Sequence, residues 1–130
     1  MAGYSDPELL LTRWLKDKLD LKTWCDPELP ENWNFTAPIG HIQRGQDIAD
    51  SPLSLDFALL DISWYAAKAD HARQAADRCR NAMRLELPLT TFSNGVFVRS
   101  VQTIMAPSWI LNPRHCRRAA AYRVELHGFV

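Results

Sequence analysis

The residues of this 130-residue chain whose types could do chemistry are few and scattered. Asp56 and Asp61 are the nearest thing to a carboxylate pair for general acid–base work. They lie five apart on one expected strand, so they point to opposite faces unless a bulge intervenes. Asp61, flanked by Leu60 and Ile62, could instead bond a helix start or an arginine across an interface, or be a solvated strand-end carboxylate. The histidines His41, His71, His115 and His127 are dispersed. His115 and Cys116 are adjacent, which is not a chelating spacing, so no metal ligand set is read here. No G-x-G-x-x-G, Walker loop or G-x-S-x-G occurs, and no cofactor is expected. An enzyme would have to gather Asp56, Asp61 or His71 in a pocket that shifts their pKa values.

Two further groups could bind rather than react. Arg114, His115, Arg117 and Arg118 form one local basic run. It is read as lying in a loop before the last strand, either as a solvated face or as a contact for an acidic partner or phosphate. Interleaved stacking aromatics, which a nucleic-acid site would favour, are missing from it. Trp109, Ile110 and Leu111 sit between Pro107 and Pro113 in an expected loop. Three large apolar residues there must be buried, over the domain's own sheet edge or in a subunit interface.

The elements that would position these residues centre on Leu55 to Leu87. The strand Leu55–Trp64 runs directly into a helix expected from Ala66 to Leu87. Ala69, Ala72, Ala76, Cys79 and Met83 recur at steps of three and four, giving an apolar face of small or flexible residues that can sit close to a sheet. Lys68, Asp70, Arg73, Asp77, Arg78 and Arg84 occupy the solvated face. Along the strand, Leu55, Phe57 and Leu59 share one face, and Leu60, Ile62 and Trp64 the other. This change in apolar phase suggests a bulge, or burial on both faces over part of the length.

An earlier helix starts at Asp6, with Pro7 at its first position, Glu8 in its first turn and Lys16 and Lys18 in its last, and ends near Leu19. From Thr23 to Pro38, three prolines deny a regular ladder, while Trp24, Trp33 and Phe35 imply packing on the helix end or on a partner. Further strands are expected at Ala37–Ile48, where Gly40 and Gly45 mark bends, at Val96–Met105 and at Ala119–Phe129. The resulting fold class is α+β, a small four-stranded mixed sheet with two helices on one face in the order α-β-β-α-β-β. Residues 1–130 are read as one domain, large enough to bury roughly two-thirds of its unfolded surface.

Composition excludes little but directs the rest. Fifteen basic and fifteen acidic residues leave no net charge, so the chain is not a general nucleic-acid or membrane binder by charge alone. Near neutrality is permissive of self-assembly. An odd number of cysteines, Cys25, Cys79 and Cys116, with no C-x-x-C, fits a reducing intracellular setting. The N-terminus shows no basic-then-apolar signal, and no run approaches the roughly 18 apolar residues of a membrane span.

The order of these pieces resembles the tail terminator and related neck proteins of long-tailed bacteriophages, particularly those infecting actinobacteria. The likeness rests on the helix and Pro/Trp loop from Asp6 to Trp33, the Ile39-Gly40 step, the Leu55–Arg84 strand and Ala- and Arg-rich helix, and Ala106-Pro-Ser-Trp109 before Tyr122-Arg-Val-Glu-Leu126. The resemblance implies a non-enzymatic virion protein at the tail–neck junction, assembled in the host bacterial cytoplasm. Such proteins form a homo-oligomeric ring, usually a hexamer, on the head-proximal end of the tail tube. The ring ends tube polymerisation, meets the major tail tube protein and a neck stopper or connector, and lets genomic DNA pass through its lumen. A neighbouring stopper or connector on the portal side is the alternative identity. Expected interface residues are Trp33, Asp61, Trp109, Ile110, Arg114, Arg117 and Arg118.

Overall fold

The computed structural model describes residues 7–26, 28, 37–45, 55–93, 95–112 and 114–127, with 55 and 56 as backbone only. Helix α1 (Pro7–Leu19) is followed by strands β1 (Lys22–Trp24), β2 (Ile39–Arg44) and β3 (Leu55–Ala66). Helix α2 (Ala69–Asn81) then runs into a π-helical turn over Ala82–Glu86, and strands β4 (Phe97–Ile110) and β5 (Cys116–His127) close the fold. The class is α+β, with a mixed sheet of five strands in the order β1-β2-β3-β5-β4.

The strand beyond the expected four is β1, which pairs parallel with β2 through Lys22–Ile39, Thr23–Gly40 and Trp24–His41. It corrects both the strand count and the irregular reading of Thr23 onwards. Three residues are too short to show periodicity, and what fixes them is tertiary. The buried Thr23 hydroxyl donates to the Thr12 carbonyl of α1 at 2.8 Å. Asp20, at φ 53°, makes the turn that allows it. The remaining pairs, β2–β3, β3–β5 and β5–β4, are antiparallel. The α2 crossover therefore joins two strands, β3 and β4, that are separated by β5 rather than adjacent.

Both helices contribute to one core. Leu11, Leu15 and Leu19 of α1 pack with Ala75, Ala76 and Cys79 of α2 and with Leu60, Ile62, Trp64, Tyr122 and Val124 of the sheet. The small α2 residues let that helix sit on the Trp64 ring, which is only 1% exposed. Burial starts at Ala72; Ala69, the first residue of the expected stripe, is exposed. The helix also begins three residues later than expected, because β3 runs on to Ala66.

No bulge interrupts β3, whose twelve residues pair with β5 in unbroken register. The other expected alternative holds, burial on both faces over part of the length: Ile62 and Trp64 are buried on the helix side, and Ser63 and Tyr65 on the other. Tyr65 joins Ile39 and Trp24 in a second, smaller cluster on the helix-free face. The irregularities lie in β4, with register shifts between Val98 and Ser100, Thr103 and Met105, and Met105 and Ser108. Pro107 falls within the last of these. An outermost strand tolerates both a missing N–H and bulges. For that reason β4 continues to Ile110, through the segment expected to be a loop.

Candidate functional site

The expected interface residues divide between the two faces at one end of the sheet. Trp33 lies outside the described residues. Trp109 and Ile110 are the last residues of β4, paired with Arg118 and Arg117 at the start of β5. The two arginines are thus strand residues, not loop residues. Only Arg114 and His115 occupy the connecting turn, where the Asn112 Oδ1 atom accepts both of their backbone N–H groups at 3.0 Å. An Asn side chain that mimics a backbone acceptor in this way shapes a tight turn.

Alternation sends the two pairs to opposite faces. On the helix side, the Arg118 guanidinium carbon lies 4.8 Å from the Trp109 ring centre, and that of Arg73 from α2 lies 5.5 Å from it. Trp109 therefore sits between the strand end and the helix, held by two cation–π contacts. It remains 42% exposed, and Leu111 beyond it is 96% exposed. Trp109 accordingly does not cover the helix-free face, as a loop position would have allowed. Arg73 was legible only as a residue on a solvated helix face, because its contact spans 36 positions and leaves no local pattern.

On the helix-free face, Ile110, Arg117 and Asp61 do come together, in a cleft of about 320 Å³ shared with His41, Ser63, Tyr65 and Met105. The Arg117 Nε–H donates to Ser63 Oγ at 3.1 Å, and the guanidinium lies 5.5 Å from the Tyr65 ring centre. These two contacts brace the guanidinium, whose planar fork is chemically suited to pairing with a carboxylate or phosphate. Asp61 is exposed at the other end of the cleft, between Gln43 on β2 and Ala121 on β5. Ser63 and Tyr65 give no chemical signature in sequence, since only the β3–β5 register places them against Arg117.

Two groups in the core have shifted titration. Burial pushes the Cys79 thiol up to about 12, with the neighbouring Trp64 indole opposing the rise. Burial likewise raises the Tyr122 phenol, and Cys79 adds to the effect. Both groups are held in neutral form under the helices. Among the described residues, no three His, Cys, Asp or Glu side chains are grouped to hold a metal, and no helix is long and apolar enough to cross a membrane. What the arrangement offers is a contact surface: an exposed Trp–Ile–Leu run flanked by arginines at the far end of the longest strand. Trp and Arg are the residue types that most often anchor protein interfaces.

No protein-family model matches the chain, and no curated protein matches it in sequence.

Proposed function

We propose that the chain is a structural subunit that closes into a ring on the head-proximal end of a bacteriophage tail tube. There it stops tube growth and presents a surface to the neck, with DNA passing through the lumen. The observation that carries this reading is the exposed Trp109–Ile110–Leu111 run, placed beside Arg73, Arg114 and Arg118 at an outer strand. Large apolar residues left in water at one locus mark an interaction site. A heterologous ring needs two unlike surfaces on each copy. The sheet supplies unlike edges: a fourteen-residue β4 on one side and a three-residue β1 on the other. The order of sequence pieces from Asp6 to Leu126 supports the tail terminator identity in particular.

Electron microscopy of the purified protein, alone and mixed with isolated tail tubes, tests the reading. The expected result is closed rings, with density capping one end of tubes made without heads. A protein that stays off such tubes but remains with filled heads would be a stopper or connector instead. One that binds neither would end the proposal.

A further inference from the structure

Charge is divided along this neutral chain. Residues 1–61 hold eleven of the fifteen acidic side chains and five of the fifteen basic ones, whereas residues 62–130 hold four acidic and ten basic. Between Leu87 and Val124 there are five arginines and no Asp or Glu. The sheet converts this division in sequence into a division in space. Strands β1 and β2 come from the acidic part and form one side, while β5 and β4 come from the basic part and form the other.

The ends of that axis are exposed. At the basic end, Arg114 is exposed, Arg73 is exposed with the Asp70 carboxylate 3.4 Å from its guanidinium, and Arg118 is half-buried against Trp109. At the other, Asp26 and Glu28 follow β1 with both residues exposed. Both residues are tied to the sheet through their backbone carbonyls. The Asp26 carbonyl meets the His41 Nε2 atom at 2.6 Å, and the Glu28 carbonyl accepts the Trp24 indole N–H at 2.5 Å. Basic residues near this end are already engaged: Lys18 pairs with Glu86 at 3.2 Å, and Lys22 lies over the Trp24 ring.

We infer that a second copy of this chain docks head to tail, its Asp26 and Glu28 against the Arg73, Arg114 and Arg118 end of the first. The inference rests on the ring reading and names the surfaces that would close the ring. Charge complementarity chooses the occupant: a chain with one acidic and one basic end, and no net charge, matches a second copy acidic end to basic end, whereas a two-fold contact through either end alone would set like charges together. Trp109 and Leu111 supply the apolar contact, and the charges set direction and encounter rate.

Two reversed variants test this by light scattering and sedimentation of the full chain. R73E/R114E makes both ends acidic, and D26K/E28K makes both ends basic. All four positions are exposed, and circular dichroism checks that each variant folds. Each variant alone is expected to associate at least about tenfold more weakly than the unmodified chain, and an equimolar mixture is expected to recover association by alternating the two. The unmodified assembly is also expected to weaken between about 0.05 M and about 0.5 M salt. Normal association of R73E/R114E alone, no recovery on mixing, or an unmodified chain that stays monomeric at low salt would each overturn the inference. So would loss of short-duplex DNA binding in R73E/R114E with association unchanged, which would assign the basic end to phosphate. Rings that form regardless of charge would remove this inference while leaving the ring reading intact; failure to join tail tubes would remove the ring reading itself.

Discussion

Replacing Gly40 by alanine is the sharpest test of how the sheet is packed under its helices. A Cβ built at Gly40 would lie 2.6, 2.7 and 2.9 Å from three ring carbons of Trp64. Real Cβ contacts are not found below 3.0 Å, and the Trp64 ring is 1% exposed and wedged against α2, so it has nowhere to go. Overpacking of this kind costs about 1–3 kcal/mol. Against it stands a gain of about 0.4–1 kcal/mol from the lower entropy of alanine in the unfolded chain. The net expectation for Gly40→Ala is a loss of about 1–2 kcal/mol, or a fall in Tm of about 4–8 °C for a domain of this size. Urea denaturation followed by tryptophan fluorescence measures it as a lower midpoint at unchanged slope. Trp64→Leu removes the ring that the new methyl would strike. In the double variant the two losses should therefore sum to less than their separate values by at least about 0.5 kcal/mol. A Gly40→Ala protein as stable as the parent, or strictly additive losses, would refute the argument that Gly40 is there for the Trp64 ring.

Tyr122→Phe should stabilise the protein by up to about 1 kcal/mol, because the buried hydroxyl has no hydrogen-bond partner among the described residues and phenylalanine removes its desolvation cost; thermal denaturation reads the sign. Thr23→Val should cost about 1 kcal/mol by deleting the buried bond to the Thr12 carbonyl, with β1 amides exchanging faster than those of β3 in hydrogen exchange. Cys79 should resist thiol reagents in the folded protein, while Cys25 and Cys116, both partly exposed, react. Its pKa is raised from 9.0 to about 12, so its contribution to stability is complete below pH 9 and is lost as pH climbs from 9 towards 12; denaturation midpoints across that window check the sign. Trp109→Ala should cost about 1–2 kcal/mol through its two cation–π contacts and leave the protein folded, yet abolish ring formation seen by light scattering.

The parts of the fold visible in sequence were those set by local pattern. Helix α1 falls where Pro7, Glu8 and the terminal lysines place it. The Ala72–Ala76–Cys79–Met83 stripe is buried as its spacing requires. What sequence concealed was set by contacts between distant residues. β1 exists because a hydroxyl at position 23 reaches a helix carbonyl eleven residues back. β4 outlasts Pro107 because it is an outer strand, where a missing N–H does not break a ladder. Gly40, which looked like a bend, is a close-approach site opposite Trp64.

The same distinction governs the candidate interface. The residue types, Trp109 and the arginines from 114 to 118, were visible in sequence, but a loop and a strand end distribute them differently. As a loop, they would present one mixed patch. As paired strand ends, alternation divides them, with Trp109 and Arg118 facing α2, and Ile110 and Arg117 facing the cleft beside Asp61. The division gives this end of the sheet two chemically separate contacts. On the helix side, an apolar anchor is flanked by exposed positive charge. On the other, an arginine is already braced by Ser63 and Tyr65 and so loses little freedom on meeting a carboxylate. A subunit that must hold a like neighbour while also meeting unlike proteins above and below it needs such a separation, because one patch cannot serve two partners at once. Arg117→Ala and Trp109→Ala should therefore have distinguishable effects in the tail-tube and ring assays. Identical loss from both would mean that the two faces act as a single surface.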